Sequence, residues 1–217
     1  CEPAPGIECP GVVIKKLENA KIIRFAGYKQ RYILFEGTDV DIEYELNKAA
    51  SVVPEVVVSA DSLRPYFKER VVLANSTYHK TGCPRYFEFV LSNGGVPTEQ
   101  KPTGDIDGFV ALTFPQNKEE KETIIKSSEV DKRAIVYVMF NNNERLRNRL
   151  TEISKLSYLK QVIGVEDHVA LSEIEHQIQY EVYSLDLELN QSLYDVSDKV
   201  TWVYRGKIQA VSSMRQF

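Results

Sequence analysis

The sequence predicts an α+β fold, with mixed or antiparallel sheets and helices packed on one side, and three features support this prediction. The 217 residues are 43% apolar and 27% charged, which is the composition of a globular protein with a buried core. β-Branched and aromatic runs alternate along the chain with segments of helical periodicity. Prolines and glycines lie between these segments and mark where they end.

Charge, hydropathy and motifs exclude several classes of protein. The 27 basic and 31 acidic residues give a net charge of -4, so we expect no nucleic-acid partner. The strongest apolar run, around Val52 to Ala60, is broken by Pro54 and Glu55 and is too short to span a membrane. The chain lacks phosphate-binding glycine motifs, a Gly-x-Ser-x-Gly motif and a Cys-x-x-Cys motif, and we predict no cofactor and no metal.

The first block of elements is predicted to contain strands and one helix. Residues 1–11 hold three prolines and two glycines and predict an extended arm. β-Branched runs predict strands at Val12–Ile14, Ala20–Phe25, Tyr28–Phe35 and Val56–Val58. A helix is predicted over Val40–Ser51, because Ile42, Leu46 and Ala49 recur at helical spacing.

The second block is predicted to begin at Cys83. Pro84 suits a first helical position, and the run Tyr86–Leu91 predicts a helix that Asn93–Gly95 ends. A loop over Pro97–Gly108 follows. Further runs predict a strand at Phe109–Phe114, a helix at Lys118–Ser127 and a strand at Ala134–Phe140.

The remaining residues are predicted to form one amphipathic helix and then strands. Asn143 is the predicted cap of a helix with an apolar stripe formed by Leu146, Leu150, Ile153, Leu156 and Leu159. We interpret Arg145, Arg147 and Arg149 as a solvated face. Alternation predicts strands at Ile178–Val182 and Leu185–Leu189, with a bulge near Ser184, and a hairpin over Val200–Ala210 in which Trp202 is a core residue.

These patterns divide the chain into three segments, or alternatively describe one compact unit. The segments are 1–80, with the arm and the first strand-helix-strand block, 81–160, with the second block, and 161–217, which is predicted to be rich in strands. The blocks at about 20–60 and 106–140 share one order of elements. Two explanations of this shared order are open. One is an internal duplication, and the other is that strand-helix-strand order is common in α+β proteins.

The first residue and the three cysteines bear on localisation. The chain begins at Cys1 and not at Met, and a cleaved signal peptide explains such a start. We therefore expect a secreted or cell-envelope protein, in which cysteines pair by default and the odd count leaves Cys1 over. A lipid anchor on Cys1, as in bacterial lipoproteins, is the alternative.

Residues 20–140 contain several short motifs in a characteristic order. They include Gly82-Cys83, the aromatic run after it, and Asn93-Gly94-Gly95 with Thr98-Glu99. These motifs resemble the Gly-Cys, the aromatic helix and the Asn-Gly-Gly stop of papain-family cysteine peptidases. Ile106–Val110, and the helix and strand that follow, look like the elements that lead into the β-rich half of that family. Ala20–Asp61 is similar in outline.

The resemblance implies a relative that has lost hydrolysis. Papain-type catalysis needs an activated thiolate, a His, an Asn and an oxyanion donor. The chain has neither a Gln-x-x-x-Cys-Gly-x-Cys-Trp stretch nor an Asn-Ser-Trp-Gly stretch. We therefore expect a secreted, non-catalytic module that binds a protein or peptide partner. The Gly-Cys of the family is half of a disulfide, which implies that Cys83 is paired, with Cys9 as its partner.

Two other functions remain open. A lipid on Cys1 would make the chain an envelope protein with a role in assembly or adhesion. An active cysteine hydrolase would use Cys83 at a predicted helix N-terminus, with His79 or His168 as the base. His168 and His176 with Glu173 have the residue types of a metal site, but one Glu-x-x-His pair does not make a site, and we interpret both histidines as surface residues.

Overall fold

The computed structural model describes residues 10–20, 22–26, 30–34, 40–68, 70–141, 143–163, 167–195, 198–211 and 213–216. Over these residues the fold is α+β, as the sequence predicts, with a six-stranded mixed sheet, a two-stranded antiparallel sheet and helices packed against the larger sheet. The chain divides into two compact units. The first unit comprises residues 1–52 and 155–180, and the second comprises 53–154 and 181–217.

The described helices are α1 (Pro10–Asn19), α2 (Ile42–Ala49), α3 (Ala60–Leu63), α4 (Asn75–Thr81), α5 (Lys118–Val130), α6 (Glu144–Val162) and α7 (His168–Tyr194). The described strands are β1 (Ile23–Ala26), β2 (Arg31–Leu34), β3 (Val71–Leu73), β4 (Tyr86–Ser92), β5 (Ile106–Thr113), β6 (Ile135–Phe140), β7 (Val200–Tyr204) and β8 (Lys207–Gln209). Within the described residues, every helix is too short or too polar to cross a lipid bilayer.

The first unit contains the antiparallel pair β1 and β2 and a small core around α2. The Asp41 side chain caps α2 by accepting a hydrogen bond of 3.0 Å from the Tyr44 N–H. The core is formed by Ile42, Ala49, Leu156, Leu159 and Ile174. Glu173 is buried, and its Oε2 lies 2.9 Å from Arg24 Nη2. This ion pair joins β1 to α7. It also gives the buried carboxylate of Glu173 the partner that a buried charge requires.

The sheet of the second unit follows chain order, from β3 to β8. β4, β5 and β6 are parallel, whereas β3, β7 and β8 each run antiparallel to their neighbours. α5 is the crossover between the parallel strands β5 and β6. On one face of the sheet, Ile124 of α5 packs with Val90, Phe109, Ala111, Tyr137, Met139 and Val203. The parallel strands are buried because they lie at the centre of the sheet.

Several predicted elements are confirmed. The structure contains the helix around Ile42–Ala49, the order β5, α5 and β6, and the hairpin of β7 and β8. The apolar stripe of α6 is buried at all five predicted positions. Asn143 precedes α6 as predicted, and its carbonyl accepts a hydrogen bond of 2.8 Å from the Arg147 N–H. Its side chain does not cap the helix, because Nδ2 donates to the Pro115 carbonyl and Oδ1 has no partner within the described structure. The part of the predicted N-terminal arm before Pro10 lies outside the described residues, whereas Pro10 and Gly11 begin α1 and are not extended.

Other predicted elements are wrong. Residues 12–14 belong to α1, whose half-buried Ile14 and Leu17 have helical spacing. Residues 86–91 form the central strand β4, in which burial on both faces removes the alternation that identifies a strand. Residues 178–189 belong to α7, as the buried Leu185, Leu189 and Leu193 show by their spacing of four. Residues 56–58 are not in a strand, although Val58 is buried.

Gly108 in β5 lies against the residue that precedes β6, Ala134. A Cβ atom at this position would lie 2.0 Å from the carbonyl oxygen of Ala134 and 2.8 Å from Cε1 of Phe87. The carbonyl belongs to the backbone and cannot move independently of the strand. A side chain at position 108 therefore displaces β5 from β6.

We predict that Gly108→Ala destabilises the protein by about 2–3 kcal/mol, because overpacking at a rigid contact has this cost. Urea unfolding followed by circular dichroism measures the change. Gly94→Ala is the matched control, since a Cβ atom there meets no atom within 4 Å, and we expect a change below about 0.5 kcal/mol. Equal midpoints for the two variants would contradict this account of the sheet.

Candidate functional site

A pocket of about 330 Å³ lies in the second unit at the end of the sheet where the parallel strands begin. Phe87 of β4, Val136 of β6, and Trp202 and Tyr204 of β7 line it. Because side chains two residues apart share a face, and Trp202 lies opposite Val138, Val136, Trp202 and Tyr204 project from one face of the sheet. We call this cavity the apolar pocket.

Helix α4, the end of β8 and the segment after β8 complete the wall of the apolar pocket. Ala74 and Thr77 line it at the start of α4, Gln209 lines it at the end of β8, and Val211 lies two residues further on. α4 follows β3 directly and ends at Gly82, which has φ of 71°, a backbone conformation that glycine adopts readily. This turn returns the chain to β4 and places Arg85 at the pocket.

Arg85 is held at the pocket by Asp107. The guanidinium donates through Nη1 to Asp107 Oδ1, and the Tyr86 N–H donates to Asp107 Oδ2 at 2.9 Å. The hydrogen bond from Arg85 and that from Tyr86 lower the pKa of Asp107, and the same contact with Asp107 raises the pKa of Arg85. Both groups are therefore charged at neutral pH, and Arg85 remains 57% exposed.

Trp202 lines the apolar pocket with a side chain that is almost completely buried. Its Nε1 makes no hydrogen bond within the described structure and is inaccessible to solvent. A buried donor without an acceptor costs about 1–3 kcal/mol. The indole N–H therefore offers no donor to a ligand in this conformation.

Two other cavities of the second unit are more polar. One of about 410 Å³ is lined by Arg145, Arg149, Glu181 and Glu188 of α6 and α7. Arg149 Nη1 lies 2.8 Å from Glu181 Oε2, and Arg145 Nη1 lies 3.4 Å from Glu188 Oε1. Arg145 and Arg149 of α6 therefore form ion pairs with acidic side chains of α7. The interpretation of the arginines as a solvated face does not include these pairs.

The third cavity, of about 750 Å³, lies at the C-terminal end of α5. Exposed lysines at positions 101, 126 and 132 line it with Arg133 and Tyr137. Burial raises the pKa of Tyr137. Arg133 fixes the adjacent loop, because Nη1 donates to the carbonyls of Pro97 and Gln100 and Nη2 donates to that of Val96. Its guanidinium also binds Asp131 through Nε and Nη2. Arg133 is therefore already occupied by structural contacts.

The sequence-predicted site residues have mixed outcomes. Cys83 is exposed and forms no disulfide with another described residue. Cys1 and Cys9 lie outside the described residues, so the Cys9–Cys83 disulfide and the lipid on Cys1 stay predictions. Cys83 does not begin a helix, since Pro84 is followed by β4, and the argument that a helix N-terminus activates its thiol does not apply. His79 lies in α4 with its ring centroid 6.0 Å from that of Tyr78, and His168 begins α7 in the first unit.

The histidines of α7 are on the surface, as interpreted. His168 and His176 are exposed, and Glu173 is paired with Arg24. Within the described part of the chain, three or more His, Cys, Asp or Glu residues do not group in a way that could hold a metal ion.

Comparison with known proteins gives no match to a family model, a curated protein or a solved structure. The resemblance to papain-family peptidases over residues 20–140 therefore stays a prediction.

We predict that Arg133→Met destabilises the protein by about 2–3 kcal/mol, because three loop carbonyls and the Asp131 carboxylate lose their charged donor. Urea unfolding measures the loss, and Lys132→Met is the control because Lys132 is exposed. A loss no larger than that of the control would contradict the assigned role of Arg133.

We also predict a difference in acid stability between the wild type and Arg133→Met. Hydrogen bonds from Arg133 lower the pKa of Asp131 below its unfolded value of 3.8. The contribution of Asp131 is therefore complete above about pH 4 and is lost as the pH falls through its folded-state pKa. Unfolding midpoints between pH 6 and pH 2 should fall less in Arg133→Met than in the wild type. Parallel curves would contradict this coupling.

Proposed function

We propose that this chain is a non-catalytic module that binds a protein or peptide partner, and that the apolar pocket takes one apolar side chain of that partner. The observation that carries the proposal is the lining itself: Phe87, Val136 and Trp202 come from three strands and form a concave apolar surface. Concave apolar sites with a few polar groups are the usual form of ligand pockets.

The size of the apolar pocket agrees with a partner that contributes one residue. Its volume of about 330 Å³ lies near the lower limit for ligand pockets, which is about 300 Å³. A large apolar side chain fills such a space, and the rest of the partner stays outside.

The non-catalytic part of the proposal rests on chemistry. The polar groups in the wall of the apolar pocket are the guanidinium of Arg85, the amide of Gln209 and two hydroxyls, from Thr77 and Tyr204. Nucleophilic catalysis needs a nucleophile in contact with a base that a third group orients. The described lining residues do not include a histidine, a cysteine or a carboxylate. Binding is the function that this set of residues supports best.

We predict that a neutral capped residue, N-acetylphenylalaninamide, binds the apolar pocket. Trp202 is the single tryptophan of the chain, so the protein labelled with ¹⁵N has one indole N–H resonance, and titration should shift this resonance in a saturable way. Thr77→Phe should abolish the shift. Thr77 is an exposed residue of the lining, and a phenylalanine side chain at this position would occupy the apolar pocket in place of the probe.

Lys80→Phe is the matched control, because Lys80 is exposed on the same helix but does not line the pocket. It should bind like the wild type. An indole resonance that does not move at saturating probe would refute the proposed site. Peptide hydrolysis that Cys83→Ala abolishes would refute the non-catalytic assignment.

A further inference from the structure

We propose that the partner residue bound in the apolar pocket is the C-terminal residue of a polypeptide, whose carboxylate pairs with Arg85. This inference rests on the proposed function and specifies the class of ligand. It follows from three properties of the pocket: the charge of its lining, the N–H donors of Arg85 that Asp107 does not use, and the size of the cavity.

The charge of the pocket favours an anionic ligand. Among the described lining residues Arg85 is the only charged one. The neutral polar side chains of the lining that a ligand can reach are those of Thr77, Tyr204 and Gln209. A ligand complementary to this lining carries an apolar body and hydrogen-bond acceptors, and an ammonium group finds no acidic residue there.

Arg85 is positioned for such a ligand before it binds. Asp107 holds the guanidinium through Nη1 and is itself fixed by the Tyr86 N–H. Asp107 does not line the pocket. A guanidinium has five N–H donors, and the hydrogen bonds of the described structure use Nη1 only. Nε and Nη2 remain for a second carboxylate, which they can bind in the bidentate geometry that arginine favours.

The size of the cavity favours the end of a chain. A residue inside a polypeptide has to place the chain on both sides of its side chain, and its two flanking peptide groups are neutral. A C-terminal residue places the chain on one side and a carboxylate on the other. That arrangement matches a cavity for about one residue with one cation in its wall.

The test compares N-acetylglycylphenylalanine, which has a free carboxylate, with its C-terminal amide, by the shift of the Trp202 indole resonance. In the wild type the acid should bind about tenfold more tightly than the amide, which is the effect of one charge-assisted contact of about 1.4 kcal/mol. Arg85→Gln should bind both probes with the affinity of the amide. Arg64→Gln should retain the preference, since it removes an exposed charge that is paired with Asp61 outside the pocket.

The outcomes separate this inference from the proposed function. Equal wild-type affinities for the acid and the amide would overturn the carboxylate assignment and leave the peptide-binding proposal intact. A preference for the acid that survives in Arg85→Gln would overturn the role of Arg85. Octanoate binding as tightly as the acid would show that any apolar acid suffices and would overturn the assignment to a chain end. No shift with any probe would overturn the proposed function itself.

Discussion

The close parallel pairing of β5 between β4 and β6 is the constraint on which the second unit depends. β5 is buried over most of its length, and at Gly108 it approaches β6 so closely that no side chain fits. Parallel strands require a crossover, and α5 supplies the one between β5 and β6 while covering the face that carries Phe109 and Tyr137. One glycine therefore fixes the spacing at the end of the sheet where the apolar pocket lies.

The contact between Arg85 and Asp107 follows from the same pairing. The register places Tyr86 of β4 beside Ile106 of β5, so the residue before β4 and the second residue of β5 come together. An exposed ion pair contributes little to stability. Its effect here is geometric, because the Tyr86 N–H orients the carboxylate and the carboxylate orients the guanidinium. The sheet register thus determines where the pocket carries its charge.

The sequence predicts those elements whose residue pattern fits one type of secondary structure only. α6 has a stripe of leucines and an isoleucine that only a helix brings together, and the β7–β8 hairpin has alternation with a turn at Arg205-Gly206. β4 has both faces covered, and its apolar run fits a helix as well as a strand. In α7, an accidental alternation over residues 178–189 masks the helical spacing of the buried leucines.

The candidate site was less predictable than the fold, because its residues lie far apart in the sequence. Trp202 was predicted as a core residue, and it is buried, but its role in the pocket wall depends on Phe87 and Val136 from other strands. The pairing of Arg85 with Asp107 is also not predicted, because the sequence predicts a helix from Pro84. Arg85 and Asp107 come together only when Tyr86 belongs to a strand that pairs with β5. No signal within a single segment identifies such a site.

The size of the apolar pocket also limits how tightly it can hold a partner. A ligand of about twelve non-hydrogen atoms, at roughly 0.3 kcal/mol per atom, gains about 4 kcal/mol, which corresponds to a dissociation constant of about 1 mM. Physiological recognition then requires further contacts outside the pocket. β8 is the last strand of the sheet in the described structure, and its Gln209 lines the pocket. An edge strand therefore borders the pocket, and on the proposed function its backbone groups can supply the remaining affinity while Arg85 supplies the selectivity.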